Sequence, residues 1–81
     1  MMQPKLIFVK PLPDAKLQLC YETGENRIFD VTPYIIGSWY GKLENKNYFN
    51  TVHILTDGLG IEWRDGQDIA PHELYELSTP C

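Results

Sequence analysis

"KLQLCYETGENRIFDVTPY", Lys16 to Tyr34, changes its period partway along, and that change decides the fold. Over Lys16–Glu22 the apolar residues alternate. Leu17, Leu19 and Tyr21 point one way; Lys16, Gln18, Cys20 and Glu22 point the other. Period two marks a strand with one buried face. Thr23–Asn26 reads as a hairpin turn, because Gly24 and Asn26 tolerate positive φ. "RIFDV" is the return strand. At Thr32 the alternation stops. Thr32 suits a helix N-cap and Pro33 the first helical position. Ile35, Ile36, Trp39, Tyr40 and Leu43 follow at helical spacing as one apolar stripe. Gly37 and Gly41 interrupt it, each at a cost of about 1 kcal/mol against alanine. They either bring the helix backbone close to the sheet or break the helix into short pieces.

Working outward, Lys5–Lys10 forms a short apolar run that suits a strand covered on both sides. Pro11 and Pro13 then require that strand to end or to lie at a sheet edge. Beyond the helix, "ENKN" is a turn, and Tyr48 and Phe49 lead into a second hairpin. Val52 and Ile54 alternate on its first strand, Ile61 and Trp63 on its second, with "DGLG" as the turn. "APHELYEL" is a short closing helix: Pro71 opens it, Leu74, Tyr75 and Leu77 form its apolar side, and Ser78, Thr79 and Pro80 end it. The order is strand, strand, strand, helix, strand, strand, helix. The expectation is a single α+β domain over residues 1–81, a mostly antiparallel five-stranded sheet with two short helices on one face.

Composition narrows the function. The chain has 81 residues, 43% hydrophobic and 22% charged, which suits one small folded domain rather than a disordered segment. The net charge is −4, and Asp57, Glu62, Asp65, Asp68, Glu73 and Glu76 fall within one stretch that holds only Arg64 as a base. Such a surface repels phosphate backbones, so no nucleic-acid partner is expected. Lys5, Lys10 and Lys16 read as edge protection on neighbouring strands. No apolar run approaches the ~20 residues of a membrane span, and Leu6–Val9 is too short for a signal-peptide core. The expected location is the cytoplasm, with no membrane association.

The residues that carry chemistry elsewhere are here and poorly arranged for it. Asp65-Gly66-Gln67-Asp68 with Glu73 has the composition of a cation loop but not the alternating ligand spacing. The structural reading is stronger: Asp65-Gly66 turns the chain, Asp68 sits near the positive end of the last helix, and Glu73 is half of a capping box whose other half is missing at Ala70. His53 lies out of phase with Val52 and Ile54, and His72 is an early helix position, so neither has the companions zinc needs. Cys20 reads as a strand residue, and Cys81 is terminal; their spacing makes no disulfide scaffold or redox pair. Ser38 lacks a nucleophile elbow, since Ile36 stands two residues before it. No catalytic residue, metal or cofactor is expected, and the protein is not read as an enzyme. The aromatics are many for this size. Trp63 belongs to the inner face beside Ile61, and Trp39 to the helical stripe. Tyr34 and Tyr40 flank that stripe and, with Trp39, make the candidate contact surface for another chain.

The pattern "GENRIFDVTPY…F…GIEWRDGQDIAPHELYE" resembles a family of small bacterial proteins catalogued as domain of unknown function 2442. The resemblance covers nearly the whole chain and rests on Gly24, Asp30, Pro33, Phe49, Trp63, Gly66, Asp68, Pro71, Leu74 and Tyr75. It implies the same α+β layout. Some relatives carry an added helix-turn-helix domain, which 81 residues are not expected to hold. Others are encoded beside another small protein, in the manner of a toxin–antitoxin pair. Ala70 departs from the family pattern, where serine often precedes the proline. The resulting expectation is a protein-interaction or regulatory module, antitoxin-like, with a protein partner and a homodimer conceivable through free strand edges. The alternative is a small-molecule-binding domain with a pocket between the sheet and the first helix.

Overall fold

The computed structural model describes residues 4–56 and 58–81. Asp57, with its share of the acidic stretch and of the "DGLG" turn, lies outside the described residues, as do Met1–Gln3.

The first half of the chain follows its alternation. Strand β1 (Leu6–Leu12) pairs antiparallel with β2 (Lys16–Tyr21), and β2 with β3 (Asn26–Asp30). Leu17, Leu19 and Tyr21 are buried, and Phe29 lies opposite Leu17 on the same face. Each such side chain contributes roughly 1.5–3 kcal/mol when removed from water. β1 departs from its expectation. It is an edge strand, not one covered on both faces. A register shift between Leu6 and Phe8 turns Ile7 and Phe8 out to solvent, leaving Leu6 buried and Val9 half-buried. Pro11 is accommodated within β1 because an edge strand has one unpaired side. The aliphatic stem of Lys5 lies beside Gly58.

The segment after β3 is not one helix. Thr32–Tyr34 forms a single 3₁₀ turn whose cap position is Val31, not Thr32. Asp30 Oδ1 accepts from the Thr32 amide at 3.0 Å. Helix α1 (Gly37–Tyr40) follows, then a 3₁₀ turn over Gly41–Glu44, then helix α2 (Lys46–Phe49). Of the two readings open for the glycines, the break is the one observed. Gly37 has φ +75, outside the helical region, and nothing lies within 4 Å of where its Cβ would be. Breaking the helix also breaks the stripe. Leu43 is buried, but Ile36 is 74% exposed and Trp39 46%. Tyr48 and Phe49 enter through α2 rather than a strand, with Asn45 capping it by accepting from the Tyr48 amide.

β4 (His53–Ile54), β5 (Ile61–Glu62) and β6 (Asp68–Ile69) form a second, three-stranded antiparallel sheet. Helix α3 (Pro71–Glu76) follows, with Leu74 buried and Leu77 exposed beyond it, so Leu77 is not part of the apolar side. Thr79–Pro80, expected only to end the helix, forms β7 and pairs with β3. The architecture is therefore α+β, and among the described residues all pairing is antiparallel, with seven strands in two sheets in place of five in one. The two sheets share one core, which joins Leu6, Leu17, Leu19 and Phe29 to Ile61, Trp63, Ile69 and Leu74. The Leu6 amide also bonds the Gly58 carbonyl across them at 2.7 Å.

A polar clamp fixes the carboxyl end. Arg27 donates to Ser78 Oγ and to the Ser78 carbonyl and pairs with Glu25 at 3.2 Å. Tyr75 donates to the Glu25 carboxylate, and the Arg27 guanidinium lies 4.7 Å from the centre of its ring. The Tyr75 bond comes first among the causes that hold Glu25 below the ordinary carboxylate value.

Candidate functional site

The corner at residues 60–77 is a joint of the fold. Gly66, at φ +103, closes a tight turn in which the Trp63 amide bonds the Gln67 carbonyl and the Gly66 amide the Trp63 carbonyl. Gln67, fully buried, reaches back into the broken helical segment: Oε1 accepts from the Tyr48 hydroxyl at 2.6 Å, and Nε2 donates to the Trp39 carbonyl at 2.9 Å. Tyr48 Oη in turn accepts from the Asp65 amide. Trp63 Nε1 donates to the Phe49 carbonyl. Lys42 and Asp65 pair at 2.8 Å, which holds the Asp65 carboxyl low and the Lys42 ammonium high. Each short piece after Gly37 is thus bonded to the β5–β6 turn. Ala70 occupies the N-cap of α3 with no side-chain cap bond.

The histidines are not brought together. His53 faces Glu62 across the β4–β5 pair at 3.0 Å, and His72 is exposed on α3. Among the described residues no three His, Cys, Asp or Glu side chains are grouped to hold a metal ion. Cys20 lies half-buried opposite Phe8 and Asn26, and Cys81 is exposed.

The three aromatics chosen from the sequence share one region, with different exposures. Tyr40 is half-buried, and its hydroxyl donates to the Asp68 carbonyl at 3.0 Å. Tyr34 packs against Phe29 with ring centres 5.6 Å apart. Burial raises its pKa, with Glu73 and Tyr40 adding to the effect as neighbours. Trp39 stands outward between them in sequence, its carbonyl held by Gln67 and its ring 5.3 Å from the Lys42 ammonium, within cation–π range. Ile36, which helical spacing placed inward, is the most exposed large apolar residue among the described residues. The signal for this was present in Gly37: a glycine at positive φ resets the phase of whatever precedes it.

A groove of about 690 Å³ opens between the tip of the β1–β2 hairpin and the helical segment, with Leu12, Pro13, Ile35, Leu43 and Phe49 among its walls. The hairpin tip is unusual. Asp14 and Ala15 both have positive φ, +64 and +57. That conformation costs a residue with a Cβ roughly 1–2 kcal/mol. The Ala15 carbonyl accepts from the Val31 amide at 2.9 Å, which ties the tip to the end of β3. Asp14 is a residue type that visits this region readily; Ala15 gave no sequence signal for it.

The β1 edge is guarded against a further strand. It carries the shift at Ile7, Pro11 without an amide hydrogen, and the charge of Lys10. Among the described residues no helix is long and apolar enough to cross a membrane.

The chain belongs to the family described as Protein of unknown function (DUF2442), whose model matches residues 6–80. No curated protein and no solved structure matches it.

Proposed function

We propose that this DUF2442 member is a non-enzymatic protein-interaction or regulatory module, antitoxin-like in manner, that binds a partner chain through Trp39, Ile36, Tyr34 and Tyr40. The observation that carries this reading is the mounting of Trp39: it is 46% exposed on a backbone fixed by Gln67 and flanked by Tyr40, itself bonded to Asp68. An exposed tryptophan on a fixed backbone loses little conformational freedom on binding, which is why such residues anchor interfaces. Glu73 lies near Tyr34, and Asp68 is joined to Tyr40 through its backbone. These acids favour a partner with basic groups around an apolar hollow. The guarded β1 edge favours side-chain recognition over strand addition, and the reading places the protein in the cytoplasm.

The test is calorimetric binding to the product of the adjacent gene, with the wild type and Trp39→Ala side by side. The expected result is binding that Trp39→Ala weakens at least 30-fold, equivalent to about 2 kcal/mol. Equal binding by both proteins, or none by either, would sink it.

The groove supports a second reading, a small-molecule site. Its volume falls within the usual range for ligand pockets, and its walls mix apolar side chains such as Leu12, Ile35 and Phe49 with the polar Asp14, Glu44 and Lys46. It lies between the β1–β2 tip and the helical segment, and neither Gly37 nor Gly41 lines it. A metabolite screen by thermal shift tests it, with Ile35→Trp, at a half-buried wall position, as the variant that fills the groove and abolishes any shift.

A further inference from the structure

We infer that the shallow cleft lined by Lys42, Asn45, Asn47, Tyr48, Thr51 and Arg64 is a binding site for the phosphoryl group of a small molecule. The reason lies in which hydrogen-bonding atoms of the cleft are already engaged. Asn45 Oδ1 accepts from the Tyr48 amide, so the amide oxygen faces the backbone and the Asn45 NH₂ is turned away from it. Tyr48 Oη donates to Gln67 and accepts from the Asp65 amide. Thr51 Oγ1 donates to the Tyr48 carbonyl and accepts from the Arg64 amide. The oxygens of these three side chains are therefore occupied by the fold.

The nitrogens are the reverse. Lys42 Nζ makes one bond, to Asp65, and has two hydrogens left. Among the described residues the Arg64 guanidinium makes no hydrogen bond, and all five of its donors are available. The Arg64 backbone, by contrast, is anchored by its bond to Thr51, so the side chain starts from a fixed point. Two cations around the single carboxylate of Asp65 leave an excess of one positive charge, in a protein whose net charge is −4. An acidic ligand is the complement of such a set. Donors from Lys42, Asn45 and Arg64 come from three separate points of the chain, which suits the oxygens of a tetrahedral group better than a planar carboxylate, for which the arginine fork alone suffices. The cleft, at about 440 Å³, is open enough for a small phosphate ester. It stands apart from the β1–β2 groove and does not depend on the partner proposed above.

The experiment is an NMR titration of the full chain with inorganic phosphate, phenyl phosphate and acetate at constant ionic strength, following the Arg64 Nε–H and the Asn45 and Asn47 NH₂ signals. Saturable shifts confined to these groups are expected, with phosphate at least tenfold tighter than acetate. Asn45→Asp is the decisive variant. It keeps the oxygen that accepts from Tyr48 and replaces the outward NH₂ with a negative oxygen, so the fold is retained and binding is lost. Arg64→Gln is expected to weaken phosphate at least tenfold, and Lys5→Gln, far from the cleft, by less than twofold. Shifts that do not saturate, acetate binding as tightly as phosphate, or unchanged affinity in Asn45→Asp would each overturn the assignment.

Discussion

The Tyr48 hydroxyl donates a 2.6 Å hydrogen bond to Oε1 of Gln67, a side chain with no exposed surface. This contact is one of several that join the broken helical segment to the β5–β6 turn, and Tyr48 Oη also receives the Asp65 amide. Tyr48→Phe keeps the ring and removes both bonds, leaving a buried carbonyl oxygen without its partner. Its expected cost is about 1–3 kcal/mol, because an unsatisfied buried acceptor loses its hydration as well as its bond. Urea unfolding monitored by circular dichroism checks this. A change below about 0.5 kcal/mol would show that the joint is held elsewhere.

The two tryptophans offer a sharper contrast. Trp63 is fully buried, packs against Phe49 at 5.7 Å and donates to the Phe49 carbonyl; Trp39 is nearly half exposed. Trp63→Ala is expected to destabilise by about 3–5 kcal/mol, enough to unfold a domain of this size. Trp39→Ala is expected to stay within about 0.5–1 kcal/mol of the wild type, since it loses only partial burial and a contact with Lys42. In acrylamide quenching the accessible fraction of the fluorescence disappears with Trp39. If Trp39→Ala unfolds as readily as Trp63→Ala, the outward placement of this ring is wrong, and the proposed contact surface fails with it.

This contrast also shows what the sequence made legible. Strands β2 and β3 were readable because one face is wet and the other dry, and alternation records that difference residue by residue. Trp63 was readable for the same reason, in phase with Ile61. The segment after Thr32 was not. Its apolar spacing fits a helix, but Gly37 at positive φ resets the phase, so the residues that match a stripe on paper do not share a face. Strands β6 and β7 are two residues each, too short to carry a period; β7 exists because the longer β3 has an unpaired edge, and β6 because the turn at Gly66 folds it back on the equally short β5. The Asp65–Asp68 turn was legible as a turn. Its burial of Gln67 was not, since nothing local distinguishes a glutamine that will find two buried partners from one that faces water. The exposure of Trp39 and Ile36 was not legible, since both matched the apolar stripe, while Tyr34 and Tyr40, placed at its flanks, are half-buried.

Helix α3 begins without a cap. Ala70 occupies the N-cap with φ −58 and ψ 139, a backbone that serine adopts equally well, and Pro71 follows it. A serine hydroxyl there reaches the free amides of the first turn, so Ala70→Ser is expected to stabilise the domain by about 0.5–2 kcal/mol. For a chain of this length that is a rise in Tm of roughly 4–8 °C per kcal/mol. Ala70→Val, which has no acceptor, serves as the control and is expected to give no rise. Equal behaviour of the two variants would mean that the first turn gains nothing from a cap.

Tyr21 sets the behaviour at high pH. Its ring is buried and meets Tyr75 edge-on at 5.1 Å, and among the described residues its hydroxyl has no hydrogen-bond partner. Burial pushes its pKa from 10.0 up to about 12, against a smaller opposing pull from Arg27. The folded state therefore holds this proton more tightly than the unfolded chain does. Stability from this group is complete below the unfolded value of 10.0, and it is lost as the pH rises toward about 12. Tyr21→Phe removes the ionisation and an unsatisfied hydroxyl together. At pH 7 the variant is expected to be as stable as the wild type or more so, by up to about 1 kcal/mol. Between pH 9 and 11 its advantage should widen, because only the wild type must keep a buried phenol neutral while its unfolded chain ionises (roughly the range around an ordinary tyrosine). Urea midpoints at pH 7, 9, 10 and 11 decide the matter. A gap that stays constant with pH would remove the ionisation from the account, and a variant less stable at pH 7 would show that the hydroxyl is bonded after all.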